Sequence, residues 1–499
     1  MRNHEKIPRR FIPRTMLQVI LFWLIPGLFL PTLAGVLAIR ILEGRAPVLF
    51  KFERITLGFV LGVTLTMFIT FFAQILTGIK LTVLSHLIIQ ISTVIAIVLL
   101  YKITKNKSNE EKKPAASAGN KIHYSLFTIH YSFLTRSIIL ILIVWSLLKI
   151  ILSSATFLVL TPSFLDDAVD NWNLRGKVFF TERRIKLDLP NEKGETEIYP
   201  LSAYPPTVPL IKAELSAFAG KWDEGLINSI HLLWYLSTII LVYFAIKRSA
   251  GGIFALLGAY MLTSIPLYLM HGTNPYADAF LSAHIFAAIS MVYFAVTADN
   301  PEEKKSFLRL GALSAALLIF TKNEALLIHL PVILAITAVS LFWLKKKNKL
   351  QTSECVKIIY WYSGFVLAVA LPWIIFKLAN GFAFGNAQAL SGIKLSWHPG
   401  IMKAVFYNTF LEGNWLLLFP LLLILLVIRR KDAFKTPLLV LTAFLLIIYF
   451  GQMPLYMFTF LYTEAVNQTG YSRGLVQIVP IIVMLAALLL EKLIRQEQV

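Results

Sequence analysis

Continuous apolar runs of about 20 residues recur along the whole 499-residue chain, separated by short polar segments. That is the length of an α-helix that crosses the hydrocarbon of a bilayer. The runs are unbroken and do not alternate, so helices and not strands are the spanning elements. Helices are predicted near 17–41, 56–77, 80–101, 136–161, 226–246, 252–270, 279–297, 307–320, 325–344, 357–378, 403–428, 437–460 and 474–492. The fold class is therefore all-α and polytopic, with about thirteen spans whose ends are set to within about 2–4 residues. Pro26 and Pro31 interrupt the first run and predict a re-entrant or broken element there.

Composition agrees with the pattern. Hydrophobic residues make up 57% of the chain and charged residues 15%, too few to cover a soluble protein of this size. The net charge of +20 does not mark a nucleic-acid binder, because the basic residues sit in short loops such as "KITKNK", "KKKNK" and "RRKDAFK". Lys and Arg retained in cytoplasmic loops, facing anionic lipid, give that distribution. It assigns 102–136, 247–248, 304–309, 345–357, 429–435 and the C-terminus to the cytoplasm. The loops 162–206, 271–278, 321–324, 379–402 and 461–473 then fall outside. Parity puts the N-terminus outside as well, although "MRNHEKIPRR" is basic and favours the inside. The tandem repeat "IHYSLFT", "IHYSFLT" over Ile122–Thr135 has too few copies for a repeat fold and reads as an insertion in a flexible cytoplasmic linker. A single cysteine, Cys355, excludes an intramolecular disulfide and a cysteine-cluster metal site.

The unusual polar residues all fall on the outer loops. In "FLDDAVDNWNLRGKVFF" (Phe164–Phe180), Leu165, Val169, Trp172, Gly176 and Phe179 share one helical face. Asp166, Asp170, Asn173 and Lys177 share another. This predicts an interfacial helix with its apolar face in lipid and its acids at the membrane surface. Ser163 and Asp166 also match a capping box, so capping and catalysis are both open for Asp166, whereas capping does not account for Asp167. Asp278 stands at the start of a span, where the helix dipole favours an acid. Lys322 and Glu324 lie between two apolar runs, as a structural pair or with Lys322 awaiting an anion. Arg473 at the mouth of the last span fits a headgroup anchor or a bidentate phosphate ligand. Arg175 and Lys177 add supporting charge. A glycosyl group leaving a polyprenyl phosphate needs such a set: cations on the departing phosphate, a carboxylate for the acceptor's proton, and an interfacial site.

These stretches, with "YPPTVPLIKAELSAFAGKWDEGLINSIHLLW", "NPYADAFLSA", "TKNEALL" and "YSRGLVQIVP" in that order, resemble the GT-C superfamily of membrane glycosyltransferases. The similarity is to the branch of protein O-mannosyltransferases and aminoarabinose transferases, of glycosyltransferase family 39 type. It covers roughly 136–492. On this reading 1–101 are added N-terminal spans, 102–135 a basic linker, and 136–499 a catalytic module with outer loop 162–206. The resemblance implies a polyprenyl-phosphate sugar donor and inverting transfer to a hydroxyl of a lipid, glycan or protein. It implies a multi-pass protein of the cell membrane with an extracytoplasmic active site. Asp166 then corresponds to the catalytic carboxylate with Asp167 beside it, Asp278 to a second acid, and Lys322 and Arg473 to cations near the donor phosphate. Some members use a divalent metal and others do not, and Asp166 and Asp278 are the carboxylates that would hold one. The Asp-Asp pair replaces Asp-Glu, and neither "WWDYG" nor a large C-terminal soluble domain is present, which argues against N-linked oligosaccharide transfer. The competing reading is a transporter or flippase of lipid-linked sugars, which predicts mid-bilayer charges and paired broken helices.

Overall fold

A computed structural model describes residues 16–110, 133–190, 194–385 and 395–496. The basic N-terminal segment and most of the linker with its tandem repeat lie outside these residues. Helices α1 (Leu17–Glu43), α2 (Lys51–Thr77), α3 (Val83–Glu110) and α4 (Ser137–Leu160) lead into the first large loop. That loop holds α5 (166–182), a small antiparallel ribbon pairing Asp188 with Ile198, and α6 (Thr207–Ala219). Then follow α7 (Glu224–Ala250), α8 (Gly252–Ser264 continued by Pro266–Gly272), α9 (Asp278–Thr297), α10 (Pro301–Leu318) and α11 (Ala325–Lys346). The chain closes with α12 (Thr352–Ala379), α13 (Ile401–Phe410), α14 (Leu418–Ile428), α15 (Leu439–Phe458) and α16 (Gly470–Val476 continued by Val479–Arg495).

The protein is an integral multi-pass α-helical bundle. Among the described residues nine helices are long and apolar enough to cross a membrane, and eleven if α8 and α16, bent by 78° and 50°, each count as one. The expected thirteen are not reached by this measure. Helix α10 carries Glu302, Glu303, Lys304, Lys305 and Arg309 in its first turns. The run at 403–428 breaks at 411–417, where Gly413 and Leu416 take positive φ and Trp415 Nε1 donates to the Asn408 carbonyl at 2.7 Å. The first span corrects another expectation: it is continuous and not re-entrant. Pro26 is absorbed by a π-helical turn at Trp23–Phe29, which tolerates the missing N–H. Helices α1 and α2 then meet backbone to backbone. A Cβ at Gly35 would stand 1.9 Å from the Gly58 carbonyl oxygen, so only glycine fits this crossing.

A polar knot ties the Glu43 end of the first helix to its neighbours. Arg54 grips Glu43 through Nε at 2.8 Å and Nη2 at 2.9 Å, and Ser306 Oγ donates to the Glu43 carbonyl at 2.6 Å. Arg248 donates to the Val48 carbonyl at 2.6 Å. The Glu43 end of α1 thus lies with the basic ends of α7 and α10, and its Leu17 end points to the opposite face. Helix α9 runs through the centre, with every residue from Asp278 to Val296 buried. Its first residue therefore sits in the middle of the face opposite the basic loops.

Candidate active site

Helix α5 exists where the sequence predicts it, but protein covers much of its apolar face, leaving Val169 exposed. Trp172 and Phe179 are buried, and Gly176 packs on the Lys212 side chain and the Pro209 carbonyl of α6. The 3.6-residue period defines an apolar face without naming what covers it. Asp166, Asp170 and Lys177 remain exposed on the other side. The capping box does not form. The helix starts at Asp166 itself, and Ser163 Oγ accepts from Asn173 Nδ2 at 2.8 Å and Asn228 Nδ2 at 3.2 Å.

Six of the expected residues converge. Asp166 Oδ1 accepts the Asp167 N–H at 2.7 Å and the Tyr276 hydroxyl at 3.2 Å. Burial, together with the charge of Asp166, holds the Tyr276 phenol well above its usual range, so it stays a donor. The Tyr276 ring stacks on His271 at 4.7 Å and lies 5.0 Å from the Arg473 guanidinium. Arg473 pairs with Asp167 and lies 3.3 Å from Asp278 Oδ2. Asp278, fully buried, takes Lys322 Nζ at 2.8 Å and Gln477 Nε2 at 3.1 Å on Oδ1, with His271 Nδ1 3.3 Å from Oδ2. Lys322 is also 3.4 Å from Glu324.

Several expectations change. Lys322 does reach Glu324, as the structural pair expects, but Lys322 and Arg473 are each shared between two carboxylates. Asp278 does open its helix as expected, and it is also the buried acid that holds both cations. Arg175 and Lys177 do not join the cluster. Lys177 is exposed, and Arg175 is buried, bonded to Asn171 Oδ1 at 3.1 Å and the Tyr204 carbonyl at 2.9 Å. Tyr276, His271 and Gln477 were missed. Gln477 lies four residues after Arg473, one helical turn away on the same face, and that spacing could have found it. Tyr276 precedes its helix and has no periodic signal.

A second cationic pair adjoins the first cluster. Lys377 Nζ donates to the Ala203 carbonyl at 2.6 Å and to Asn323 Oδ1 at 3.1 Å. Lys377 and Arg175 thus hold consecutive carbonyls, and burial pushes Arg175 down to about 9. Among the described residues no carboxylate lies within ion-pair distance of either, and Arg175 Nε and Asn323 Nδ2 have no hydrogen-bond partner. A divalent metal shared by Asp166 and Asp278 does not fit, because both Asp278 oxygens are already engaged. Among the described residues no three His, Cys, Asp or Glu side chains are gathered as metal ligands.

Residues 203–376, about a third of the chain, match the family model described as dolichyl-phosphate-mannose-protein mannosyltransferase. Among solved structures the fold is similar to ArnT from Cupriavidus metallidurans bound to undecaprenyl phosphate, with TM-score 0.50 and 13% identity over 71% of this chain and 60% of that one. The apo form of the same protein gives 0.49 and 14% over 73% and 61%. The chain thus spans about three fifths of the length of the structures it matches. No curated protein sequence matches. Family match and fold point the same way: residues 203–376 resemble the mannosyltransferase family model, within a multi-pass helical fold similar to that of ArnT.

Proposed function

We propose that this protein transfers a sugar from a polyprenyl-phosphate donor to a hydroxyl on a lipid, glycan or protein acceptor, on the extracytoplasmic face. One observation carries the reading. An exposed carboxylate, Asp166, is aimed by a phenol beside a buried acid–cation cluster, on the face opposite the basic loops. Asp166 accepts the acceptor hydroxyl's proton as that oxygen attacks the anomeric carbon, and the carbon–oxygen bond to the phosphate breaks with its electron pair leaving on the phosphate. Asp167 and Asp278 hold Arg473 and Lys322 in place. The family match, and the undecaprenyl phosphate held by the similar ArnT structure, support a lipid-linked donor.

Charge refines where the phosphate sits. Asp166, Asp167, Asp278 and Glu324 outnumber Lys322 and Arg473, so that cluster is net anionic and repels a phosphate. Among the described residues Arg175 and Lys377 are buried with no carboxylate at ion-pair distance, which is costly unless an anion joins them. We therefore assign the donor phosphate to the Arg175–Lys377 side. Lys377→Met is expected to raise the melting temperature of the ligand-free protein and to abolish the stabilisation that polyprenyl phosphate gives the wild type. A lower melting temperature with ligand stabilisation intact would contradict the assignment. Tyr276→Phe is expected to slow turnover about 2–12-fold, the worth of one hydrogen bond of about 0.5–1.5 kcal/mol. Steady-state transfer assays measure it, and an unchanged rate removes Tyr276 from the site.

A flippase of lipid-linked sugars is the second reading, favoured by the 78° break in α8, where Lys149 donates to Ser264 Oγ at 2.9 Å. Lipid flux across vesicles with no covalent product would select it.

A further inference from the structure

The outer loop holding Asp166 is gripped by the three spans that precede the linker. Helix α6 is the intermediary. Two of its residues, Lys212 and Glu214, are charged and fully buried in an otherwise uncharged helix. Two positions at about 100° each put them on nearly opposite faces. On one face Lys212 Nζ donates to Asn173 Oδ1 at 2.5 Å and to Asn228 Oδ1 at 2.9 Å. Both asparagine amides donate in turn to Ser163 Oγ, three residues before Asp166. On the other face Glu214 Oε1 accepts from Gln90 Nε2 at 2.7 Å, and His86 Nδ1 lies 2.9 Å from Oε2. Gln90 and His86 belong to α3 and are also fully buried. A second tie reaches α5 directly. The N–H of buried Leu81, in the α2–α3 loop, donates to the Arg183 carbonyl at 2.7 Å. Arg183 has φ of 56° and ends α5. The acid-bearing helix is thus held near Ser163 through α6 and at its end through Leu81.

A buried carboxylate between helices is expensive to keep where apolar packing would serve, so its retention points to a task. We infer that the N-terminal spans are a brace that holds α5 in register, with Glu214 as a positioning residue acting through α6 on Asp166. The inference rests on the transfer reading only for its kinetic consequence; the mechanical part stands apart from it.

The test is hydrogen–deuterium exchange of the full-length protein in detergent, combined with transfer kinetics. Glu214→Ala is expected to raise exchange over 163–182 about tenfold and to lower kcat for transfer from a polyprenyl-phosphate sugar, with KM for the donor nearly unchanged. Glu214→Gln, which keeps the Gln90 contact, restores part of both. His86→Ala provides a milder second variant if Glu214→Ala does not fold. Thr64→Val removes a different tie of the N-terminal spans, the 2.9 Å contact with His284 in the core, and is expected to leave 163–182 unchanged. Unchanged exchange over 163–182 in folded Glu214 and His86 variants overturns the brace, as does an equal rise in Thr64→Val. If the wild type transfers no sugar, the transfer reading fails while the exchange result still decides the brace.

Discussion

Asp278→Ala is expected to destabilise the protein by about 3–5 kcal/mol, the cost of removing one partner from a buried ion pair. Asp278 has no exposed surface, and its two oxygens meet Lys322, Gln477, Arg473 and His271. Its loss leaves Lys322 with Glu324 at 3.4 Å and Arg473 with Asp167, both at the rim of the cluster. Two cations then face each other across the place that Asp278 held, Lys322 almost fully buried and Arg473 partly exposed. Thermal unfolding in detergent measures the effect. The double variant Asp278→Leu with Lys322→Met is expected to recover part of the loss, because it removes a charge together with its partner. If Asp278→Ala unfolds like the wild type, the assignment of Asp278 as the acid that holds both cations fails.

Asp166→Asn should behave in the opposite way. The side chain is exposed, and asparagine keeps an oxygen to accept from Tyr276 and from the Asp167 N–H. Stability is therefore expected to hold. Turnover should fall about 10²–10⁴-fold, the range over which a positioned general base contributes. Asp167→Asn, which weakens only the pairing with Arg473, is expected to lose less. This split between a stability residue and a rate residue separates the present account from one in which all the acids are interchangeable.

Much of this was readable in the chain because bilayer physics is strict. Unbroken apolar runs force helices, and basic loops force sides, so the acids of 162–206, 271–278 and 321–324 could be put on one face before any contact was known. Partnership was less readable. Lys322 and Arg473 look isolated in sequence, since their shared partner Asp278 is 44 residues from one and 195 from the other. The face of α5 was visible as an amphipathic pattern, yet only the packing of α6 shows that Trp172 and Phe179 face protein and not lipid. Pro26 misled because a proline signals a break, whereas a widened turn accommodates it. Lys212 and Glu214 in "PLIKAEL" were visible as charges in an apolar stretch, but their opposite-facing roles depend on α3 and α5 meeting α6 from either side.

The central claim is that Asp166 is the base for sugar transfer from a lipid phosphate. The most direct measurement follows release of labelled sugar from a polyprenyl-phosphate sugar by the purified protein, with membrane extract as the acceptor source. Wild-type protein is predicted to transfer label, and folded Asp166→Asn to transfer at least about a hundredfold less. Undiminished transfer by both Asp166→Asn and Asp167→Asn would contradict it.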